Sequence, residues 1–169
     1  MRQEMHEIAP VFDKNSRILI LGSFPSVKSR EGKFFYHHPQ NRFWKVLSIM
    51  FCCETPDTIE KKKEMLFNNR IAVWDVIASC EIEGSSDSSI KNVIPNNLDE
   101  VLSRTEIMRI YTNGATASRL YKKYCYGQTK IQDIKLPSTS PANAAYSLDR
   151  LLKEWSVILE DCYQFNKKS

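Results

Sequence analysis

Residues 17–26 decide the fold of this chain, and they read Arg17-Ile18-Leu19-Ile20-Leu21-Gly22-Ser23-Phe24-Pro25-Ser26. The unbroken aliphatic run is typical of a strand that is buried on both faces, and the Gly, Ser and Pro that follow are typical of a tight loop. Parallel sheets bind ligands beyond the carboxyl ends of their strands. We therefore expect a buried strand here, with a functional loop at its end.

Three further segments have the character of strands, and stretches with helical periodicity separate them. The proposed strands cover residues 17–21, 71–74, 107–111 and, more weakly, 131–136. The proposed helices cover residues 43–50, 58–67, 116–124 and 148–162, the last with the strongest apolar stripe. Strands that alternate with helices are typical of an α/β fold. We predict one domain over residues 1–169, a three-layer α/β/α sandwich with a mostly parallel central sheet of about four strands.

The composition is that of an ordinary globular protein, with 42% hydrophobic and 26% charged residues in a chain of 169. No run of about 18 apolar residues suggests a membrane span, and residues 1–10 lack the order of a signal peptide, so we expect a cytoplasmic protein. The five cysteines include no Cys-x-x-Cys pair, and we predict reduced thiols, no metal and no cofactor. A net charge of +4 is compatible with a polyanionic partner but is weak support for one.

The unusual sequence of the chain falls in the segments that follow the proposed strands. These are residues 22–41, 75–96, 113–116 and 137–144, which are rich in Ser, Asn, Gly and Pro. Because the carboxyl ends of parallel strands share one edge of a sheet, we expect a site where these loops meet. Within the second loop, residues 79–89 are polar enough to form a solvated flap, and we assign no role to Ser85 or Asp87.

The segment Phe35-Tyr36-His37-His38-Pro39-Gln40-Asn41-Arg42-Phe43-Trp44 gathers aromatic rings, imidazoles and an amide ahead of a helix. An enzyme that flips a nucleobase out of DNA needs a stacking surface, hydrogen-bonding groups and a held water, and this segment has all three. Two simpler interpretations are open on local sequence alone. Asn41 is well placed to cap the following helix, and an aromatic residue after a loop is more often part of the core.

Taken together, the Gly-x-x-Pro loop, the eight-residue spacing, the aromatic pair and His38-Pro39-Gln40-Asn41-Arg42-Phe43-Trp44-Lys45 resemble the mismatch-specific branch of the uracil-DNA glycosylase superfamily. The chain is still more similar to the hypoxanthine-DNA glycosylase family, which also has motifs like Trp74-Asp75-Val76 and Ser140-Pro141-Ala142-Asn143. The resemblance spans about residues 18–146. It implies a monofunctional glycosylase of base excision repair that hydrolyses the bond to a deaminated base, with hypoxanthine as the expected base.

The resemblance also implies a role for individual residues. Phe24 stands where many superfamily members have an Asp or Asn that positions water, and in the hypoxanthine family an Asn equivalent to Asn41 takes over this task. A well-placed water is more important than a strong base for such a hydrolysis. Tyr36, or secondarily Phe35, would stack on the base. The implied base-binding residues are Gly22, Ser23, Phe24, Ser26, Tyr36, His37 and Asp75, and His38 would brace their loop.

In the superfamily the last loop presses into the minor groove and often carries a His that stabilises the departing base. Ser138 stands at that position here, so the stabilising group would be Asn143 or main-chain amides at the start of the next helix. The implied DNA-binding residues are Ser138, Ser140, Pro141, Ala142 and Asn143. Candidate phosphate contacts are Lys28, Lys33, Arg42 and Lys45.

Two rival functions are open at this point. One is excision of uracil, from G/U mismatches or in general, because the first motif is shared with that branch. The other is a non-catalytic DNA-binding module with the same fold, because the usual water-binding residue is absent from the first loop. A nucleotide hydrolase is disfavoured because no Gly-x-x-x-x-Gly-Lys-Ser/Thr phosphate loop occurs. For a glycosylase and for a DNA-binding module alike, we expect damaged DNA as the partner, no membrane and no obligate protein partner.

Overall fold

The computed structural model describes residues 2–6 and 8–164. Its strands are β1 Arg2–Met5, β2 Ile18–Gly22, β3 Ile71–Asp75, β4 Ile77–Ile82, β5 Lys91–Pro95, β6 Arg109–Asn113 and β7 Asp133–Leu136. Its α-helices are α1 Val27–Gly32, α2 Phe43–Met50, α3 Ile59–Asn68, α4 Asp99–Leu102, α5 Ala115–Tyr124, α6 Tyr126–Thr129, α7 Leu148–Trp155 and α8 Val157–Gln164. A single 3-10 turn, Asp87–Ser89, lies between β4 and β5. Among the described helices, none is both long and apolar enough to cross a membrane.

The central sheet consists of four parallel strands in the order β3-β2-β6-β7. Every residue of β2 and β3 is buried, so both faces of these two strands are covered. Helix α3 packs against β3 at one edge, and α5 packs against β6 and β7 at the other. The predicted α/β class, with a parallel sheet of four strands, is confirmed.

The register of this sheet brings the loops of interest together. Gly22 at the end of β2 pairs with Asp75 at the end of β3, and Leu21 pairs with Thr112 near the end of β6. Asn113 in turn pairs with Leu136, the last residue of β7. The four carboxyl ends are therefore level, and the segments that follow them surround one point at this edge of the sheet.

A second sheet was not predicted. It is antiparallel, with the order β1-β4-β5, and it contains half of what the sequence indicated as a loop over residues 75–96. The prediction of a solvated flap over residues 79–89 is wrong for its first part, because Cys80 and Ile82 of β4 are buried. Irregularities in the pairing of β4 with β5 interrupt the simple alternation of apolar and polar residues by which a strand is recognised.

The final helical stripe is divided. The helix ends at Trp155 and resumes at Val157, and between them the Ser156 hydroxyl donates to the Lys153 carbonyl oxygen at 2.7 Å. Such a side-chain bond to the preceding turn competes with the helical ladder. Trp155 and Ile158 are fully buried, so the stripe belongs to the core as predicted. The first of these helices begins at Leu148, as the apolar stripe predicted, and residues 137–143 lie in the loop before it.

Candidate active site

A cavity of about 310 Å³ lies at the carboxyl ends of the parallel strands. Its lining comes from the ends of the parallel strands and the loops after them, from the segment before α2, and from residues 85–88 between β4 and β5. The lining includes most of the predicted site residues together with a serine-rich segment that was not assigned to the site. The predicted residues in the lining are Gly22, Ser23, Phe24, Ser26, Tyr36, Asn41, Asp75, Ser138, Ser140 and Ala142.

Gly22 allows the floor of the cavity to close tightly. A Cβ atom at this position would lie 2.6 Å from Asp75 Oδ1 and 3.3 Å from the Tyr36 hydroxyl. The first of these separations is a steric clash, so the side chains of the neighbouring segments can meet only over a glycine. The close approach brings a carboxyl group and a phenol together beneath the cavity.

Asp75 is buried here without an ionic partner. Its side chain is 5% exposed, and its Oδ2 atom has no hydrogen-bond partner. His6 Nε2 lies 3.9 Å from this oxygen, but Nε2–H donates to the Ile77 carbonyl oxygen at 2.8 Å, and burial lowers the pKa of the imidazole. Burial, together with the charge of Asp87, raises the pKa of Asp75 to about 8. Near pH 7 the cavity therefore contains a neutral carboxyl group.

Tyr36 has an unusual backbone, with φ at +51°. Trp44 Nε1 donates to the Tyr36 carbonyl oxygen at 3.1 Å and holds the residue in place. The Tyr36 ring stacks on Phe43 with a centroid distance of 4.0 Å and an interplanar angle of 23°. Its hydroxyl is buried, and burial, followed by the charge of Asp75, raises the pKa of this phenol. Tyr36 is thus a rigid aromatic wall of the cavity.

Asn41 lines the cavity and also caps a helix. Its Oδ1 atom accepts a hydrogen bond from the Phe43 backbone N–H at 2.9 Å, at the start of α2. The bond that the capping interpretation expects is therefore present, although Asn41 makes it from the position before the N-cap residue, which is Arg42. A carbonyl oxygen has two lone pairs, so this bond leaves Oδ1 with one acceptor site for a water molecule. The cap fixes the orientation of the side chain beside the cavity.

The serine-rich segment 83–90 forms another side of the cavity, although no motif in this segment indicated a role. Ser23 Oγ donates to Asp87 Oδ1 at 3.1 Å, and Ser85 Oγ accepts from the Val27 N–H at 2.9 Å. Arg30 donates from Nη2 to the Gly84 carbonyl oxygen at 2.6 Å and from Nε to that of Pro25 at 3.2 Å. These contacts join the segment to the loop after β2. Both Ser85 and Asp87 line the cavity.

The last loop is held from two directions. Asn113, at the end of β6, donates from Nδ2 to Thr139 Oγ1 and accepts from the Thr139 N–H, both at 3.0 Å. Arg42 donates to the carbonyl oxygen of Asn143 at 3.1 Å and to that of Tyr146. The guanidinium of Arg42 is therefore engaged with protein carbonyls, which does not favour the predicted phosphate contact. Asn113 was missed as a site residue, although its place after the third parallel strand was a usable signal.

Several predicted site residues lie away from the cavity. His37 is exposed, and its ring packs against Gly32, where a Cβ atom would lie 2.3 Å from the imidazole. Asn143 braces its own loop by donating from Nδ2 to the Ser138 carbonyl oxygen at 3.0 Å, and it lines an adjoining cavity. Pro141 lines neither cavity. The lysines predicted to contact phosphates are exposed and also lie outside the cavity, namely Lys28, Lys33 and Lys45.

The described residues contain no group of three or more His, Cys, Asp or Glu side chains arranged to hold a metal ion. Cys80, Cys125 and Cys162 are buried and unpaired, whereas Cys52 and Cys53 are exposed. The side chains that line the cavity offer amide, hydroxyl, phenol and carboxyl groups.

Comparison with known proteins agrees with this architecture. The family model of the uracil DNA glycosylase superfamily matches residues 9–161. A hypoxanthine DNA glycosylase of Methanosarcina acetivorans is 33% identical over 152 residues, which cover 88% of this chain and 93% of the relative. A hypoxanthine DNA glycosylase of Methanosarcina barkeri is 37% identical over 84 residues, which cover 49% of this chain and 53% of the relative.

A solved structure is similar over nearly the whole fold. It is the solution NMR structure of a Methanosarcina acetivorans protein proposed to be a uracil DNA glycosylase, with a TM-score of 0.78 and 31% identity. The match covers 94% of this chain and 98% of that one. The chain therefore belongs to the uracil DNA glycosylase superfamily, as its motifs predicted.

Proposed function

We propose that this protein is a monofunctional DNA glycosylase that hydrolyses the N-glycosidic bond of hypoxanthine in DNA. The observation that carries the proposal is that Asn41 and Tyr36, from the segment before α2, and Asp75, from the end of β3, line one cavity of about 310 Å³. Cavities of this size hold small ligands, and a flipped purine is such a ligand. The names of the two Methanosarcina relatives support hypoxanthine as the base.

In this mechanism Asn41 holds the attacking water. The second lone pair of Oδ1 accepts a hydrogen bond from the water, while the cap to Phe43 prevents the amide from rotating. The water oxygen then attacks C1′ as the C1′–N9 bond breaks. The electron pair of that bond leaves with the base, and the proton that the water loses neutralises the departed anionic base. An amide cannot act as a strong base, but an oxocarbenium-like transition state needs mainly a correctly placed water.

Asp75 would receive the departing base. Hypoxanthine presents an N1–H donor beside its O6 acceptor, and a neutral carboxyl group offers one acceptor and one donor. As the base leaves it becomes anionic, and a neutral Asp75 can stabilise this charge by donating its O–H. An ionised carboxylate would repel it. The raised pKa of Asp75 thus suits this role at neutral pH.

The reaction should stop at the abasic site. Strand cleavage by β-elimination requires an amine that forms a Schiff base with C1′. None of the described residues that line the cavity is a lysine. The DNA strand would therefore break only after treatment with alkali.

Uracil excision is the second candidate, and the similarity to the solution structure proposed as a uracil DNA glycosylase favours it. The experiment compares base release from duplexes that contain one deoxyinosine or one deoxyuridine, each with and without alkali. Alkali-dependent cleavage of the deoxyinosine strand supports the proposal. Cleavage of the deoxyuridine strand alone supports the second candidate, and binding without cleavage of either supports a non-catalytic module.

The Asn41→Ala variant belongs in the same experiment, with Asn68→Ala as its control because Asn68 is exposed at the end of α3. Loss of base release in Asn41→Ala alone supports the assignment of Asn41. Equal activity of the two variants would show that another group holds the water.

A further inference from the structure

Two more cavities extend the candidate active site along the surface. The first, of about 470 Å³, shares Asp87, Asn113 and Ser138 with the cavity already described. The second, of about 540 Å³, shares Ala115 and Lys135 with the first. A continuous trough therefore leads from the candidate base pocket to the outer side of α5, at the β7 edge of the central sheet. We call its far end the α5 groove.

The α5 groove is strongly basic. It is lined by Ala115 and Ser118 and by the exposed cations Arg119, Lys122, Lys123 and Lys135. Helix α5 itself contains no Asp or Glu. Four positive side chains therefore lie around one concave surface of a size that admits a chain of phosphates.

Two carboxylates face these cations, and neither neutralises the groove. Asp133 Oδ1 lies 4.0 Å from Lys122 Nζ, but the carboxylate is buried and its Oδ2 already accepts from Thr112 and Ser118. Asp87 interacts electrostatically with Arg119, but burial raises the pKa of this carboxyl group. Since an ion pair with an exposed lysine contributes little, the positive charge of the groove stays available to a ligand.

Helix α3 shows what an ordinary lysine-rich helix looks like in this protein. It also carries several lysines, but Glu60 and Glu64 lie among them, and Lys61 Nζ is 3.1 Å from Asp57 Oδ1. Mixed charges of this kind are typical of a solvated face. Helix α5 has the same length as α3 but contains no acidic residue. It is also the helix that lines the far end of the trough.

We propose that the α5 groove binds the phosphodiester backbone of duplex DNA on one side of the damaged nucleotide. The proposal rests on the proposed function, because it takes the base to lie in the first cavity. Phosphates are expected at the α5 end of the trough and not in its middle, where Asp87 and Glu154 contribute negative charge. These contacts would fix the register of the duplex without reading its sequence.

The test is the salt dependence of DNA binding, measured by fluorescence polarisation between 50 and 200 mM salt. The probes are a duplex with one central deoxyinosine and the same duplex without damage. The variant carries Arg119→Gln, Lys122→Gln, Lys123→Gln and Lys135→Gln. A Lys122→Gln/Lys123→Gln double variant is matched by the control Lys61→Gln/Lys63→Gln on α3, at the opposite edge of the sheet.

Each phosphate contact contributes about −0.9 to the slope of log affinity against log salt. If three of the four cations contact phosphates, the ratio of the DNA affinity of the wild type to that of the quadruple variant falls roughly 40-fold between 50 and 200 mM salt. The double variant should show a smaller change in the same direction, and the α3 control should keep the wild-type slope. The exposed positions make unfolding unexpected, and the double variant carries the test if the quadruple variant unfolds.

A second series of probes shortens the duplex on one side of the deoxyinosine or on the other. The wild type should lose affinity with one truncation more than with the other, and the quadruple variant should lose this asymmetry. Equal slopes for wild type and quadruple variant, or an equal change in the α3 control, would overturn the proposal. Binding of undamaged DNA also measures the contribution of the α5 groove. A changed salt dependence in the quadruple variant, without base release by the wild type, would therefore support the phosphate contacts and refute only the proposed glycosylase function.

Discussion

Relative to the wild type, the Asp75→Asn variant should become more stable as the pH rises. Asp75 is buried, its Oδ2 has no hydrogen-bond partner, and its pKa is raised to about 8. Between about pH 4 and pH 8 the carboxyl group is protonated in the folded state and ionised in the unfolded state. The unfolded state then binds fewer protons than the folded state, so stability falls with rising pH through this window.

The size of the effect follows from the titration of one group. One proton difference changes the free energy of unfolding by about 1.4 kcal/mol per pH unit. Between pH 5 and pH 7 the contribution of Asp75 therefore falls by about 3 kcal/mol. Asparagine has nearly the same shape and does not titrate, so Asp75→Asn should lack this dependence.

Urea denaturation at pH 5, 6, 7 and 8 measures the difference in the free energy of unfolding between wild type and variant. Taking the difference removes the titrations that both proteins share. Asp99→Asn is the control, since Asp99 is exposed at the start of α4. The stability of Asp75→Asn relative to wild type should rise steadily up to about pH 8 and then level off.

Parallel pH profiles for wild type and Asp75→Asn would refute the reasoning, because they would mean that Asp75 is ionised in the folded protein at pH 5. The same outcome would remove the donor that we assign to the departing base. If Asp75 is neutral, kcat/KM for the deoxyinosine duplex should fall in the wild type as the pH rises through about 8. In Asp75→Asn this decline should be absent.

Other residues of the cavity give further predictions. Asn41→Ser keeps a side-chain oxygen for the Phe43 N–H, so its melting temperature should stay closer to wild type than that of Asn41→Ala, while base release should be lost in both. Gly22→Ala should lower the free energy of unfolding, measured by urea denaturation, by about 1–3 kcal/mol and reduce base release, because its Cβ atom meets Asp75 Oδ1. Gly127→Ala is the control, since a Cβ atom there has nothing within 4 Å. Tyr36→Phe should retain stacking and stability, whereas Tyr36→Leu should weaken deoxyinosine binding by about 1–3 kcal/mol. Unchanged binding in Tyr36→Leu would exclude a stacking role.

The central sheet was predictable from sequence for a clear physical reason. Strands that are buried on both faces need unbroken apolar residues, and residues 18–21 and 71–74 have them. The antiparallel sheet was not predictable in the same way. Strand β5 is mostly exposed or half-buried, and the pairing of β4 with it is irregular, so neither strand shows a clean period of two.

The candidate site was also predictable only in part, namely where its residues belong to local sequence motifs. Asn41, Tyr36 and Asp75 lie in motifs with a fixed spacing, and the sequence indicated them. Asp87 reaches the cavity only because its segment folds back onto the loop after β2. This contact joins residues 64 positions apart, and no local pattern encodes it. Asn41 also shows that one side chain can satisfy two interpretations, since its cap is observed and its water site is proposed.

Arg42 gives the arrangement a mechanical consequence. It is adjacent to Asn41 in the chain, and its guanidinium donates hydrogen bonds to the carbonyl oxygens of Asn143 and Tyr146 in and after the last loop. These hydrogen bonds couple the last loop to the residue beside the proposed water site. If DNA presses on the loop as it docks, we expect the water-holding amide to shift with it, so that docking and alignment for hydrolysis occur as one movement.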